Sequence, residues 1–133
     1  MDLWQIAHVV ARLLFCALFL KSAYAHLTGY KALAGYAKAV GNVPFPEVAT
    51  IVTGLMLLSG GLCVLLGFHP RRGALLLFVF LVPTAFIMHT YWKIQDPMLR
   101  AGDEAQFWKD IALAGAALFI MAPMSFPWPL ALM

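Results

Sequence analysis

The sequence contains few charged residues. Only 11% of its 133 residues are Asp, Glu, Lys or Arg, whereas an ordinary soluble domain carries about 25%. The segment 74–88 contains no charged side chain at all, so it lacks the polar face that a helix on the surface of a soluble protein needs. The shortage of charge argues against a soluble domain and predicts an integral membrane protein.

The motifs that mark many enzyme and cofactor sites are also missing. The chain has no glycine-rich nucleotide-binding pattern, no Cys-x-x-Cys pair and no His-Glu-x-x-His segment. Its two cysteines, Cys16 and Cys63, lie in apolar segments at different predicted depths, so we expect neither a metal site nor a disulfide. The nine basic residues are scattered between apolar runs, and this pattern does not indicate a nucleic-acid partner.

What the chain does contain is four apolar segments, and about 20 residues suffice to cross the 30 Å of a bilayer core. We predict one all-α domain, an antiparallel four-helix transmembrane bundle with both termini on the same side. Between the spans we predict a loop with a short amphipathic stretch at about 30–40, a tight turn at 69–72 and a charged loop at 93–104. The predicted spans are about 4–27, 48–68, 73–92 and 107–121, followed by an interfacial tail at 123–133.

The first span carries a polar stripe. Steps of three and four residues place its members on one face of a helix, and they are His8, Arg12, Phe15, Phe19, Ser22 and His26. An unpaired charge in hydrocarbon costs at least about 2.5 to 3.5 kcal/mol, so we expect Arg12 to point into the bundle. The alternative for Arg12 is a bond to a helix end or to a lipid phosphate.

Antiparallel threading also sorts the polar residues by depth. We call the end of the bundle that holds both termini end A and the opposite end, end B. A layer of candidate ligand-binding residues is predicted at end B: His26, His89, Tyr91, Trp92, Lys109 and Asp110. Two interpretations remain open, because the two histidines can bond each other or backbone carbonyls, or can form a functional site with the neighbouring Lys and Asp. Haem ligation is disfavoured, since it needs both histidines at one depth on opposed faces.

Five short segments form a pattern that extends over nearly the whole chain: Ala11-Arg12-Leu13-Leu14, Gly60-Gly61-Leu62, the pair Arg71-Arg72, His89-Thr90-Tyr91-Trp92 and Phe107-Trp108-Lys109-Asp110. In their order and spacing these segments resemble the DoxX family of small four-span membrane proteins. Where many members have Gly and Lys near the end of the first span, this chain has Ala23 and His26. The resemblance implies a bundle associated with redox systems, including small subunits of quinone-linked thiosulfate oxidation, but it implies no assigned activity.

Three functional hypotheses follow from the resemblance and the end-B layer. The first is an accessory subunit of a redox complex in the bacterial inner (plasma) membrane, which contacts a quinone or a partner oxidoreductase. The second is a quinone-linked oxidoreductase in its own right, in which His26 or His89 exchanges protons with Asp110 or Glu47. The third is a small-molecule permease, against which the two phenylalanines in the polar stripe argue.

The distribution of basic residues gives two opposing signals for the orientation of the protein in the membrane. Basic residues at end B, among them Lys31, Lys38 and Lys93, favour placing that end in the cytoplasm. The compact Arg71-Arg72 turn at end A favours the opposite orientation.

Overall fold

A computed structural model describes residues 1–123 and 128–132 of the chain. Its helices are α1 (Leu3–Thr28), α2 (Tyr30–Gly41), α3 (Pro46–Leu66), α4 (Pro70–Met88) and α5 (Pro97–Met121), with a 3-10 turn at Tyr91–Lys93 between the last two. The predicted all-α class is confirmed. Three stretches are long and apolar enough to cross a membrane, and they are Leu3–Thr28, Pro46–Leu66 and Pro70–Lys93. Of the predicted tail at 123–133, residues 124–127 and 133 lie outside the described residues.

Local sequence signals set where the helices start. At α1, Asp2 and Gln5 form a capping box, in which the Asp2 carboxylate accepts from the Gln5 N–H at 2.8 Å and the Gln5 side chain accepts from the Asp2 N–H at 3.0 Å. Helices α3, α4 and α5 each begin at a proline, because proline has no N–H to leave unpaired in the first turn.

The start of α5 corrects one prediction. The charged segment 93–104, which we predicted as a loop, is helical from Pro97 onward. Asp96 caps this helix by accepting hydrogen bonds from the backbone N–H groups of Met98 and Leu99 at 3.0 and 2.9 Å. The charged residues of the segment therefore have helical spacing.

Glycines allow α3 to approach both of its long neighbours closely. A Cβ on Gly60 would lie 2.9 Å from the Gly73 carbonyl oxygen of α4, and one on Gly61 would lie 3.1 Å from Leu20 of α1. Small residues within an apolar span predict close helix packing, and the contacts confirm this prediction at Gly60 and Gly61. Gly115 of α5 carries the same sequence signal, but there the prediction is wrong, because an added Cβ would meet nothing within 4 Å.

The helices pack in the order α1, α3, α4 and α5, with each helix against the next. Helix α5 buries one face against α4, through Phe107, Asp110, Ala114 and Ala117. The core between the helices is apolar and includes Cys16, Phe19, Leu57, Val64, Leu77 and Ala114. The short helix α2, predicted as an amphipathic stretch, packs on α3 and α4 at end B.

Candidate functional site

A cavity of about 390 Å³ lies at end B, beneath α2. Its walls come from four helices: the last turn of α1, the middle of α2, the first turns of α3 and the second half of α4. Three of its lining residues, Tyr36, Val79 and Ile87, are between 44% and 50% exposed, so the cavity opens outward between α2 and α4. The other residues that line the cavity include His26, Ala49, Thr50, Thr53, Pro83 and His89.

His26 is held on the cavity wall by α3. Its Nδ1 lies 3.2 Å from the Thr50 carbonyl oxygen and 3.0 Å from the Thr53 Oγ1. The close approach depends on Gly54, where a Cβ would lie only 2.9 Å from the Cβ of His26. The edge of the ring also meets Phe80, with the ring centroids 5.9 Å apart. These contacts fix the plane of the imidazole, because Nδ1 bonds α3 and the ring packs against Phe80.

His89, which follows the last residue of α4, also lines the cavity, and its ring contacts α5. Its Nδ1 lies 2.9 Å from Oδ1 of Asp103, and its Nε2 lies 3.6 Å from Oδ2 of Asp110. All three side chains are at least four-fifths buried. The ring thus has a carboxyl group near each nitrogen and links the cavity to two buried acidic side chains.

The structure separates the other end-B candidates from the cavity. Tyr91 and Trp92 stack edge-to-face and both meet Phe107, with centroids 5.5 and 5.9 Å from it. Lys109 hydrogen-bonds Gln106 and lies 3.8 Å from Asp110. Neither Tyr91, Trp92, Lys109 nor Asp110 lines the cavity. The two histidines also bond different partners rather than each other.

Sequence reasoning missed three residues of this region. Asp103 was hidden in the segment predicted as a loop, although it lies two helical turns before Asp110 and shares its face. The Asp96-Pro97 pair, an N-cap followed by a first-turn proline, was the signal that could have revealed the helix. Thr50 and Thr53 carried no such signal, because threonines in an apolar helix usually bond only their own backbone.

The remaining part of the polar stripe lies at end A. Arg12 is 5% exposed, and its Nη2 donates a 2.6 Å hydrogen bond to the Pro129 carbonyl of the tail. Its guanidinium carbon lies 5.7 Å from the centre of the Trp128 ring, which His8 meets edge-on. Ser22 is half-buried on the same helix face. Arg12 does point inward, but to a backbone carbonyl of the tail and not to the end-B layer.

Cation-binding chemistry is not indicated by this geometry. Within residues 1–123 and 128–132, no group of three or more His, Cys, Asp or Glu side chains is arranged to hold a metal ion. Both Cys16 and Cys63 are free thiols.

Comparison with known proteins gives the chain its family. Residues 7–90 match the DoxX family model, so the segment 107–110, part of the resemblance noted above, lies beyond the match. The chain is similar to inner membrane protein YphA of Escherichia coli (strain K12), with 27% identity over 84% of this chain and 79% of the relative. It is also similar to inner membrane protein YqjF of the same organism, with 29% identity over 87% and 82% of the two chains.

No solved structure matches the chain. Both relatives are inner membrane proteins, and three stretches of this chain are long and apolar enough to span a bilayer. The predicted localisation in the bacterial inner membrane is therefore confirmed. Because the family match covers more than half of the sequence, this chain belongs to the DoxX family.

Proposed function

We propose that this protein binds the head group of a quinone in the end-B cavity and serves as a small subunit of a membrane redox system. The observation that carries the proposal is the cavity itself, which is lined by His26 of α1 and by His89 at the end of α4. Its volume of about 390 Å³ falls in the range of small-molecule sites, about 300 to 1,000 Å³. The lining is mostly apolar with a few polar groups, as such sites are.

The position of the cavity suits a ligand that arrives through the lipid. Thr53 lies seven residues into α3, about 10 Å from the helix end at 1.5 Å per residue. At that depth the opening between α2 and α4 faces the outer part of the bilayer. A quinone, whose chain stays in hydrocarbon, can therefore bring its polar ring to the histidines without crossing water.

The test is photolabelling with an azidoquinone in lipid nanodiscs, read by mass spectrometry of the labelled peptides. We expect label on the cavity-lining parts of α2, α3 and α4. Ala49→Phe places a ring in the cavity and should lower the labelling at least about tenfold, while the matched variant Ala112→Phe, on an exposed face of α5, should label like the wild type. If Ala49→Phe does not lower the labelling, the quinone does not bind in this cavity and the proposal is wrong. Copurification of a quinone-linked oxidoreductase in mild detergent would support the subunit role.

We also propose that α5 is a fourth span, which makes the protein an antiparallel four-helix bundle with both termini at end A. Residues 111–121 form the apolar half of α5 and pack along α4. The charged half of α5 precedes them and lies toward end B. The tail supports the same arrangement, since the N–H of Leu132 donates a 2.8 Å hydrogen bond to the carbonyl of Leu66 at the end of α3.

Single cysteines test this arrangement in a Cys16→Ala, Cys63→Ala background with a membrane-impermeant maleimide on intact cells. We expect Arg72→Cys in the first turn of α4 and Leu130→Cys in the tail to label from the same side of the membrane. Gln95→Cys, before α5, should label from the opposite side; all three positions are exposed. If Leu130→Cys instead labels with Gln95→Cys, α5 does not cross the bilayer.

A further inference from the structure

We propose that the cavity is built for the reduced form of the quinone, with Nε2 of His26 accepting a hydrogen bond from a quinol hydroxyl. This inference rests on the proposed quinone site and adds which redox form the site prefers. It follows from where the proton of the His26 ring must lie. A quinol donates hydrogen bonds through its hydroxyls, whereas a quinone can only accept them through its carbonyls.

The surroundings of Nδ1 determine the tautomer of His26. The Thr50 carbonyl, 3.2 Å away, can only accept a hydrogen bond. The Thr53 hydroxyl, 3.0 Å away, lies 2.8 Å from the Ala49 carbonyl and 3.0 Å from the Thr50 carbonyl, so its single hydrogen has acceptors on its own helix. A proton on Nδ1 satisfies both neighbours at once.

The opposite tautomer places lone pairs against each other. With Nδ1 unprotonated, its lone pair would face the Thr50 carbonyl oxygen at 3.2 Å, even if Thr53 turned its hydroxyl toward the ring. None of the ion pairs among the described residues includes His26, so no carboxylate favours a doubly protonated ring. The neutral ring with Nδ1–H is therefore the form that this wall selects.

The tautomer leaves Nε2 as an acceptor. Both hydrogen bonds of the ring are made by Nδ1. Within the described part of the chain, Nε2 makes none. His26 lines the cavity, and in our proposal the lone pair of Nε2 is the group that the ligand meets there. A hydroxyl group of a ligand can donate a hydrogen bond to Nε2. A carbonyl oxygen cannot, because it would place its own lone pair against that of Nε2.

Two other features of the walls add acceptors. The Thr50 hydroxyl donates to the Pro46 carbonyl at 2.7 Å, so it too presents lone pairs. In α4, Pro83 has no N–H and leaves the Val79 carbonyl without its regular helix donor, and both residues line the cavity. The hydroxyls of Tyr36 and Thr84 can rotate to donate or accept. The groups with fixed polarity are acceptors, which suits a ligand with hydroxyl donors.

One experiment measures the tautomer directly. Solid-state NMR of ¹⁵N-histidine-labelled protein in nanodiscs separates protonated from unprotonated ring nitrogens, and the His26 signals are assigned by their loss in His26→Phe. We expect a protonated Nδ1 and an unprotonated Nε2 in the ligand-free protein. A proton on Nε2, whether alone or in a doubly protonated ring, would overturn the inference without touching the quinone site.

A second experiment measures the preference with three ligands that share one tail. Binding of decylubiquinol, decylubiquinone and the dimethyl ether of the quinol is measured in anaerobic nanodiscs. Since one neutral hydrogen bond is worth about 0.5 to 1.5 kcal/mol, we expect the quinol to bind about 2- to 13-fold more tightly than the other two. His26→Phe keeps an aromatic ring but removes the acceptor, so it should abolish the difference.

The outcomes of these measurements separate the two proposals. If quinol, quinone and ether bind the wild type equally well, the quinone site stands and the preference for the reduced form is wrong. If the quinone binds more tightly than the quinol, the preference is reversed and the inference fails. If none of the three binds, the proposed function fails, and the preference fails with it.

Discussion

Gly73→Ala is expected to destabilise the folded protein by about 1–3 kcal/mol, the usual cost of forcing an extra group into a packed core. An added Cβ at Gly73 would lie 2.6 Å from the Cβ of Cys63 and 2.8 Å from the carbonyl oxygen of Gly60. Neither atom lies at the free end of a side chain, so the contact can be relieved only if α3 and α4 move apart. That movement would loosen the core along both helices.

Gly115→Ala is the matched control, because it makes the same change in a helix where the new Cβ meets nothing within 4 Å. Alanine has a higher helix propensity than glycine by about 1 kcal/mol, so this variant should be as stable as the wild type or slightly more stable. Unfolding in mixed micelles with increasing SDS, followed by circular dichroism, measures both variants. Equal stabilities for Gly73→Ala and Gly115→Ala would show that the backbones at Gly60 and Gly73 are not in contact.

His89→Leu is expected to cost about 3 kcal/mol of unfolding free energy. Breaking a buried ion pair costs about 3–5 kcal/mol because it leaves an uncompensated charge, and the 17% exposure of the His89 and Asp103 side chains places this case at the low end. Without the imidazole, the carboxyl groups of Asp103 and Asp110 lose the partner that they share, and Lys109, 3.8 Å from Asp110, offsets only part of that loss. The SDS titration measures this loss as well.

Removal of both carboxylates should restore most of the stability that His89→Leu removes. In the triple variant His89→Leu, Asp103→Leu, Asp110→Leu none of the three ionisable groups of this cluster remains, and apolar replacements of buried ion pairs are often neutral or stabilising. Glu47→Gln, which removes an exposed charge at the start of α3, controls for a general effect of charge. We expect it to leave the unfolding free energy unchanged. A triple variant that is less stable than His89→Leu alone would contradict the pairing described here.

The sequence was most informative where a single physical constraint dominates. A helix that crosses hydrocarbon must be long and apolar, so the positions of α1, α3 and α4 could be predicted from composition alone. Alternation of direction then placed His26 and His89 at the same end, and both line one cavity. The glycines at Gly60 and Gly61 were also readable, since close backbone contact in lipid favours small residues.

Features that depend on two distant segments could not be predicted. Helix α5 is apolar or small on several faces, so periodicity could not show that it packs through Ala114 and Ala117 and leaves Gly115 open. The proposed tautomer of His26 depends on the Thr50 carbonyl of another helix. The acceptor for Arg12 is a backbone carbonyl, which every residue has and which therefore leaves no mark in a sequence.

The bond between Arg12 and Pro129 has a consequence for biogenesis. The two residues are 117 positions apart, so Arg12 is synthesised and reaches the translocon long before its acceptor exists. During that interval the guanidinium must be solvated by water or by lipid head groups, which keeps the early part of α1 near the bilayer surface. The contact that holds Arg12 at end A can therefore form only after Pro129 has been synthesised.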